Sequence, residues 1–408
     1  MEASPATLVV IGASSRALAV SAARAGWRVY AADLFGDLDL REVAAGVACV
    51  RDQADGYPTG LVAAVRAFPP GPCCFVGALE NHAEVLRAIA GDRTLLGSPP
   101  AAIAAVRDPR SLREIVLSAG LACPDCHPAP TGLPTDGSYL CKPLAGAAGR
   151  GIVPWTGGAA GPATAAHHWQ RRIAGTPWSA NYLVAADGGR LVGASRQLTG
   201  EPWCHAGPFA YCGSVAVPLD ALPDELRRRL EALAPALADR GLRGAVGVDC
   251  MVDVEGTVWV IEVNPRPTAS LELVERATGL SIAAAHVAAC GGAVPAGGSP
   301  GAVAAGLRHA KAVVHAPRAL SVDEPVVDRL RDLRREWSSS AACPGIADIP
   351  PPGVSVAVGG PLCTVFAAAP STAAAIAALR GRVAVVLAAF SPPAGEASRP
   401  AARPGSIP

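Results

Sequence analysis

The hydrophobic pattern of the first hundred residues predicts a parallel α/β layer. A short apolar run, Leu8 to Ile11, is followed by helical spacing and then by a second apolar run that ends at Asp33. Two further apolar runs, Val47 to Val50 and Cys73 to Val76, supply additional strands. Strands that alternate with helical segments are typical of a parallel sheet covered by helices. The sequence Gly97-Ser98-Pro99-Pro100 breaks this pattern and predicts a domain boundary.

The middle of the chain has the mixed pattern of an α+β domain. Its predicted elements are a helix over Ser111 to Ala119, a strand over Ser138 to Lys142, a hairpin over Trp178 to Leu198 that turns at Asp187-Gly188-Gly189, a helix over Pro223 to Arg240, and strands over Ala245 to Val252 and Thr257 to Val263. Helices and strands of this kind predict a mixed domain rather than a second parallel layer.

Composition predicts a third region and a tail. Residues Gly291 to Gly301 have the low complexity of a link. Beyond them we expect a small α+β region of short strands with a helix near Thr372 to Leu379. The residues from Ser391 onward are rich in Pro, Ala, Gly and Ser, which predicts a disordered tail.

The overall composition narrows the class of protein. With 408 residues, 50% hydrophobic and 17% charged, the chain is expected to form two or three domains, and disorder over most of its length is excluded. A net charge of +1 provides no field that attracts nucleic acid or an anionic membrane. No uninterrupted apolar run approaches the roughly 18 residues of a membrane span, and the first residues lack the basic start of a signal peptide. We therefore expect a cytoplasmic protein with reduced cysteines.

Lysine is scarce, which draws attention to the lysines that are present. Among 35 Lys and Arg residues only Lys142 and Lys311 are lysines, as expected of a GC-rich genome. Lys142 ends a predicted strand just before a loop that contains Gly146, Gly149 and Gly151. Glycines let backbone N–H groups approach phosphate oxygens, and a lysine at the root of the loop adds a positive charge for the same anion. Lys311 has no such neighbours and is interpreted as structural.

Polar residues on two predicted strands indicate a metal site. Asp249 lies on one strand, and Glu262 and Asn264 lie two residues apart on the next, so that these two point to the same face. Hard oxygen ligands on one face are what Mg²⁺ prefers, with nucleotide phosphates completing its coordination. Arg266 follows closely and is suited to stabilise charge that develops during phosphoryl or acyl transfer.

The combination of Lys142-Pro143 and the glycine loop with Asp249 and the Glu262-Val263-Asn264-Pro265-Arg266 segment resembles the ATP-grasp superfamily, over roughly residues 100–290. The resemblance implies a Rossmann-like pre-ATP-grasp domain (1–97), an ATP-grasp domain (98–290) with small and large subdomains (98–177 and 178–290), and a small C-terminal α+β domain (302–390). The tail, 391–408, lies beyond these domains.

The resemblance also implies roles for individual residues. Lys142 would contact ATP phosphates, and the loop with Gly146, Gly149, Arg150 and Gly151 would close over them. Asp249, Glu262 and Asn264 would hold Mg²⁺ or Mn²⁺, and Arg266 would stabilise the transferred phosphoryl group or the tetrahedral intermediate. The cofactors expected from the resemblance are therefore ATP and a divalent cation.

Two segments depart from the family pattern. Many members have a second ATP-contacting lysine in an Asp-Lys pair, where this chain reads Asp108-Pro109-Arg110. Arg110 is the candidate replacement, although arginine and lysine differ in geometry and hydration. The segment expected to contact adenine and ribose, Trp169 to Gly175, lacks acidic residues, and Gln170 is its candidate contact.

Residues on the substrate side are less distinctive. Arg196 is suited to bind a carboxylate with two hydrogen bonds, and Glu80-Asn81-His82 follows a strand of the first layer at its carboxyl end, where ligands gather in parallel sheets. An exposed strand end and a helix cap at Asn81 are equally compatible with these residues.

The leading hypothesis is an ATP-dependent, ADP-forming ligase that joins a small carboxylate to an amine through an acyl phosphate, and the resemblance is compatible with a role in cofactor biosynthesis. One alternative is an NAD(P)-dependent oxidoreductase, because Gly12 is followed by Asp33, 21 residues later, although the other glycines of the dinucleotide fingerprint are missing. The other is a nucleotide-binding protein without catalysis.

Overall fold

The computed structural model describes residues 5–51, 55–158, 166–294, 306–340 and 343–390. The predicted tail from Ser391 onward and most of the predicted link at 291–301 lie outside these residues. All the predicted strands and helices named above for the first 290 residues are present, with ends that differ by one or two residues.

The N-terminal layer is a five-stranded parallel sheet with the order β3-β2-β1-β4-β5. Its elements are β1 (Thr7–Ile11), α1 (Arg16–Arg24), β2 (Arg28–Asp33), α2 (Leu38–Val43), β3 (Gly46–Cys49), α3 (Gly60–Ala67), β4 (Cys73–Phe75), α4 (Ala83–Asp92) and β5 (Leu95–Leu96). The apolar strands β1 and β4 are buried on both faces, as expected of central strands in a parallel sheet. This layer is the predicted Rossmann-like α/β sheet.

Two helices and a small antiparallel sheet follow. The elements are α5 (Pro100–Arg107), α6 (Pro109–Ser118), β6 (Cys126–His127), β7 (Tyr139–Pro143), β8 (Val153–Pro154) and β9 (His167–Arg171), and the strand order is β6-β9-β7-β8. Asp108 separates the two helices and caps α6, because its carboxylate accepts hydrogen bonds from the backbone N–H groups of Arg110 and Ser111. Pro109 occupies the first turn of α6, where its missing N–H costs nothing.

An eight-stranded antiparallel sheet forms the second half of the molecule, with the order β14-β13-β10-β11-β12-β15-β19-β17. Its strands and the neighbouring elements are β10 (Thr176–Ala185), β11 (Gly188–Thr199), β12 (Tyr211–Val217), α7 (Asp224–Asp239), β13 (Gly244–Val252), β14 (Val258–Asn264), α8 (Leu271–Thr278), α9 (Ile282–Cys290), β15 (Arg308–His315), β16 (Leu320–Ser321), α10 (Glu324–Trp337), β17 (Ile346–Ala347), β18 (Ser355–Val356), β19 (Pro361–Ala369) and α11 (Thr372–Ala389). Strands β15, β19 and β17 belong to the predicted C-terminal region, so this region extends the large sheet. The domain limits themselves stay a prediction.

Around Asp249, alternation along the strands gives the large sheet one apolar and one polar face. Val248 and Cys250 of β13 pack in the same buried cluster as Leu230 and Leu233 of α7. Asp249, which lies between Val248 and Cys250, points to the opposite face and is opposite Ser179 of β10. The polar face is therefore the one on which the predicted metal ligand lies.

Among the described residues, one helix, α11, is long and apolar enough to cross a membrane by length and composition. Its residues Leu379, Val383 and Val386 are buried in a hydrophobic cluster that includes Val365 of β19. Arg380 and Arg382 interrupt its apolar sequence. A single helix of this kind is weak evidence for a membrane span.

Candidate active site

Lys142 lines a cleft between the small sheet, to which it belongs, and strand β14 of the large sheet. It is 8% exposed, and its Nζ donates a hydrogen bond of 3.0 Å to Oε1 of Gln170 on the neighbouring strand β9. Nε2 of Gln170 donates to the carbonyl oxygen of Ile261 on β14, at 3.2 Å. Lys142, predicted to contact phosphate, is therefore in direct contact with Gln170, predicted to contact the nucleotide. Gln170 connects Lys142 to β14, the strand that carries Glu262.

The glycine loop after β7 packs against two other parts of the chain. Nδ2 of Asn81 donates to the carbonyl oxygens of Ala145 and Gly146, at 3.3 and 3.2 Å. The backbone N–H of Tyr211 donates to the carbonyl oxygen of Ala148, at 3.2 Å. At Gly149, φ is +74° and an added Cβ would lie 1.8 Å from the carbonyl oxygen of Phe209. Only glycine permits both this backbone conformation and this close approach.

Asp249 and Glu262 are brought together by the register of β13 and β14, which places them opposite one another. Oδ2 of Asp249 accepts a hydrogen bond from Nδ2 of Asn264 at 3.1 Å, and Oδ1 accepts one from Nε2 of Gln197 at 2.7 Å. The three predicted metal ligands thus lie in one group. Gln197 was not predicted as a member of this group, and it lies two residues after Ser195 on the same face of β11.

The two carboxylates have opposite electrostatic environments. Burial, with a smaller contribution from the negative charge of Glu262, raises the pKa of Asp249 from 3.8 to about 6. Burial also acts to raise the pKa of Glu262, but the positive charges of Arg107 and Lys142 outweigh it and hold this pKa below its ordinary value. Glu262 is therefore ionised at neutral pH and already paired with the guanidinium of Arg107.

The donor set suits a hard divalent cation. It consists of two carboxylates and one amide oxygen, and Mg²⁺ binds few protein carboxylates and keeps its other positions for phosphate oxygens and water. Among the described residues, no group of three or more His, Cys, Asp or Glu side chains is placed to hold a metal alone. A cation held by Asp249, Glu262 and Asn264 would leave coordination positions for phosphate oxygens and water.

Arg266 lies at the junction of the large sheet and the N-terminal layer. Its Nε lies 2.8 Å from both carboxylate oxygens of Glu80, which follows β4, and its Nη2 donates to Oδ1 of Asn264 at 3.3 Å. Arg266 is 12% exposed and Glu80 is 2% exposed. Because ligands of parallel sheets bind at the carboxyl ends of the strands, this pair places Arg266 between the metal ligands and the expected substrate side.

Two basic residues that line the cleft were not predicted from the sequence. Arg107, the last residue of α5, forms an ion pair with Glu262, and His168 lies opposite Lys142 on β9. Both line the cleft together with Lys142, Gly146, Gly149, Arg150, Gln170 and Glu262. Burial and the positive charge of Lys142 lower the pKa of His168 from 6.5 to about 4, so that its imidazole is neutral. Arg107 precedes the Asp-Pro pair rather than following it, and no sequence signal marked it.

Three predicted residues lie differently from the rest. Arg110 is exposed at the start of α6, and the described residues that line the cleft do not include it. Gly151 also lies off the lining of the cleft, next to Pro143. Arg196 is exposed and lines a shallow groove with Ile376 and Arg380 of α11, on the face of the sheet opposite to Gln197 and Asp249.

The residues that imitate a dinucleotide fingerprint have structural partners. The carboxylate of Asp33 accepts hydrogen bonds from the hydroxyl and backbone N–H of Ser15 and from the backbone N–H of Gly36. Arg16, the first residue of α1 and four residues after Gly12, is 3% exposed and forms an ion pair with Asp348. Asp33 therefore closes its own turn, and the side chain after Gly12 that would approach a pyrophosphate is buried.

Comparisons with known proteins give a match to one domain family and a shared fold. Residues 108–270 match the family described as the ATP-grasp domain. No curated protein sequence matches the chain significantly. Biotin carboxylase from Campylobacter jejuni is a similar solved structure, with 13% identity, a TM-score of 0.64, and coverage of 91% of this chain and 89% of that chain.

Two further structures are similar over nearly the whole chain. The L-amino acid ligase from Bacillus licheniformis is 15% identical, with 93% of this chain and 97% of that chain covered and a TM-score of 0.61. Carboxyaminoimidazole ribonucleotide synthase from Aspergillus clavatus, solved in complex with ATP, is 12% identical, with coverage of 95% and 100% and a TM-score of 0.67. At such identities these likenesses establish a shared fold.

Proposed function

We propose that this chain, whose residues 108–270 match the ATP-grasp domain family, is an ATP- and Mg²⁺-dependent ligase that joins a small carboxylate to an amine. The observation that carries the proposal is the convergence of Lys142 and its glycine loop, Glu262 and Arg107 in one cleft, with Asp249 and Asn264 beside it. An anion-binding loop next to a hard-cation site is suited to a nucleoside triphosphate.

The proposed reaction consists of two successive nucleophilic displacements in the same active site. A carboxylate oxygen of the substrate attacks the γ-phosphorus of ATP and ADP leaves, which gives an acyl phosphate. The amine nitrogen then attacks the acyl carbon, phosphate leaves, and the nitrogen loses a proton. Neither step needs a covalent bond to the protein, so that catalysis rests on positioning and on neutralising charge.

The side chains in the cleft have distinct parts in this reaction. Lys142 and backbone N–H groups of the glycine loop bind phosphate oxygens, and Gln170 holds the ammonium of Lys142 in place. Arg266, held by Glu80, stabilises the transferred phosphoryl group or the negative charge of the tetrahedral intermediate that forms when the amine attacks. When bound at Asp249, Glu262 and Asn264, Mg²⁺ supplies positive charge that neutralises the phosphates.

The proposal is tested by ADP release from ATP in the presence of a panel of amino acids and other small carboxylic acids, each paired with amines. We expect ADP release that depends on both a carboxylate and an amine, with an amide as the product. A folded protein that binds Mg-ATP and turns over no pair would instead be a nucleotide-binding protein without catalysis, and the proposed activity would be wrong.

Glu262→Gln is the sharpest single test of the metal site. The substitution keeps the shape of the side chain and removes one charge, so we expect Mg-ATP affinity to fall at least about tenfold and turnover to be lost. Glu255→Gln, at an exposed turn on the same hairpin, is the matched control and is expected to behave as wild type. Isothermal titration calorimetry and thermal denaturation separate lost binding from unfolding, and normal turnover by Glu262→Gln contradicts the metal assignment.

A further inference from the structure

Arg107 makes three polar contacts that together connect all parts of the cleft. Its Nη1 is paired with Oε1 of Glu262. Its Nη2 donates to Oδ1 of Asn81 and to the carbonyl oxygen of Leu144, each at 2.9 Å. Arg107 therefore contacts a predicted metal ligand, a residue at the carboxyl edge of the N-terminal layer, and the first residue of the glycine loop.

Among the described residues, Arg107 is the cation that the junction between α5 and α6 contributes to the lining of the cleft. Pro109 lies within the lining but carries no charge, and Arg110 is exposed beyond the lining. Arg107 is 16% exposed and shares the lining with Lys142 and Arg150. A phosphate bound beside Lys142 would thus meet the guanidinium of Arg107 as the cation supplied by the α5–α6 junction.

We infer that Arg107 is a phosphate-binding residue of the nucleotide site, and that it exchanges Glu262 for nucleotide phosphate when the site is filled. This inference rests on the proposed function. Arg107, two positions before Pro109, then has the cationic role that the sequence predicts for Arg110.

The exchange follows from the charges at Glu262. A carboxylate paired with a guanidinium has fewer oxygen lone pairs for a metal, and the guanidinium repels a divalent cation at the same place. Glu262 therefore accepts the cation only when Arg107 moves away from it. A polyphosphate provides Arg107 with new oxygens for two parallel hydrogen bonds, because the planar guanidinium matches phosphate geometry.

The second half of the guanidinium links this exchange to the loop. Asn81 accepts from Arg107 and also donates to the carbonyl oxygens of Ala145 and Gly146. Movement of Arg107 consequently changes contacts to Asn81 and Leu144 at the base of the glycine loop. Nucleotide binding, metal binding and the position of the loop are thus coupled through one side chain.

The test compares wild type with Arg107→Met and Arg107→Lys by calorimetric titration of ATP and ADP, with and without Mg²⁺. We expect Arg107→Met to weaken ATP binding about 10- to 100-fold, since a charged hydrogen bond to phosphate is lost, and Arg107→Lys to recover part of it. Arg66→Met is the matched control, because Arg66 is an exposed arginine paired with Asp92 far from the cleft. Its nucleotide affinity is expected to equal that of wild type.

A second measurement titrates Mn²⁺ alone and follows the free ion by electron paramagnetic resonance. Without nucleotide, Arg107→Met is expected to bind Mn²⁺ several-fold more tightly than wild type, because Glu262 is released. Opposite changes in ATP and Mn²⁺ affinity are not produced by general unfolding. Thermal denaturation of each variant verifies that the fold is retained.

The inference is overturned if folded Arg107→Met binds ATP as wild type does, if only Arg110→Ala weakens binding, or if Mn²⁺ affinity does not rise. A wild-type protein that binds no nucleotide overturns the proposed function and this inference together. A wild-type protein that binds Mg-ATP but turns over no substrate pair contradicts the proposed ligase alone. In that case the opposite changes at Arg107 still support the exchange.

Discussion

Burial and a neighbouring carboxylate raise the pKa of Asp249, a predicted metal ligand. Its pKa is raised to about 6 in the folded protein, against 3.8 ordinarily. Between these values the folded protein holds a proton that the unfolded chain has lost, so the contribution of Asp249 to stability falls as pH rises from about 4 to 6. A bound cation must displace this proton, so binding is favoured at higher pH.

This predicts a pH dependence of metal binding. Mn²⁺ affinity, measured with a non-hydrolysable nucleotide, is expected to fall by up to about tenfold for each pH unit below 6 and to level off above about 7. We expect Asp249→Asn to bind Mn²⁺ weakly at every pH and to lose the pH dependence of Mn²⁺ affinity that wild type shows. Asp187→Asn, at an exposed hairpin turn, is the control and should titrate as wild type. An unchanged pH profile in Asp249→Asn would assign the proton to another group.

The two lysines show how far a residue type alone is informative. Lys142 was predicted from the loop beside it, and it lies in the cleft. Lys311, predicted to be structural, is buried with its Nζ 3.2 Å from Oε2 of Glu272. The scarcity of lysine does not distinguish these two residues. Whether each lies in the cleft or in a buried ion pair depends on the groups that surround it.

Among the elements, the glycine loop after β7 depends most on a close approach of backbone. Gly149 has a φ of +74° and lies against the carbonyl oxygen of Phe209, in the segment that leads into β12. The loop is therefore held by the large sheet on one side and by Asn81 on the other. The sequence of the loop predicts a turn, but the groups that hold it in position, Asn81 and the Phe209 carbonyl, belong to distant parts of the chain.

Gly149→Ala is expected to displace the loop. Its Cβ would lie 1.8 Å from a backbone oxygen, whereas Gly132→Ala has nothing within 4 Å at a similar φ of +78°. Both substitutions carry the strain of a left-handed residue, roughly 1 kcal/mol, and only Gly149→Ala adds the clash. We expect ATP affinity to fall at least about tenfold in Gly149→Ala and to be preserved in Gly132→Ala. Calorimetric titration of both variants tests this, and equal affinities would show that the loop position is not needed for binding.

At the scale of the whole molecule, a buried group of charges joins regions far apart in sequence. The guanidinium of Arg16 in α1 donates to Asp348 at 2.8 Å and to Glu272 of α8 at 3.1 Å, and it lies 3.5 Å from Asp39. Asp39 in turn accepts hydrogen bonds from the backbone N–H groups of Asp348 and Ile349. The N-terminal layer, α8 and the C-terminal region are therefore connected by one arginine.

Arg16→Met is expected to lower stability strongly. It leaves Asp39 and Glu272, which are buried, and the partly buried Asp348 without the cation that they share, and breaking such a buried network typically costs about 3–5 kcal/mol. Arg66→Met breaks an exposed pair with Asp92 and is expected to cost less than about 1 kcal/mol. Urea unfolding followed by circular dichroism measures both, and a midpoint of Arg16→Met equal to that of Arg66→Met would contradict a stabilising role for the network.

Much of the fold was predictable because local patterns determine it. Alternating apolar and helical segments predicted the parallel layer, and the hairpin over β10 and β11 followed from its turn residues. The joining of β15, β19 and β17 to the large sheet was not predictable, because β12 and β15 lie almost a hundred residues apart and nothing local specifies that pairing.

The sequence by itself determined the elements, the resemblance to the ATP-grasp superfamily and the residue types of the site, since spacing on one strand decides which side chains share a face. Only the tertiary structure decided the partners of those residues. It placed Arg107 rather than Arg110 in the cleft, paired Arg266 with Glu80, and made Arg16 a buried ion-pair residue. The physical reason is that ion pairs and close backbone approaches depend on distances between segments remote in sequence, and these distances exist only in the folded chain.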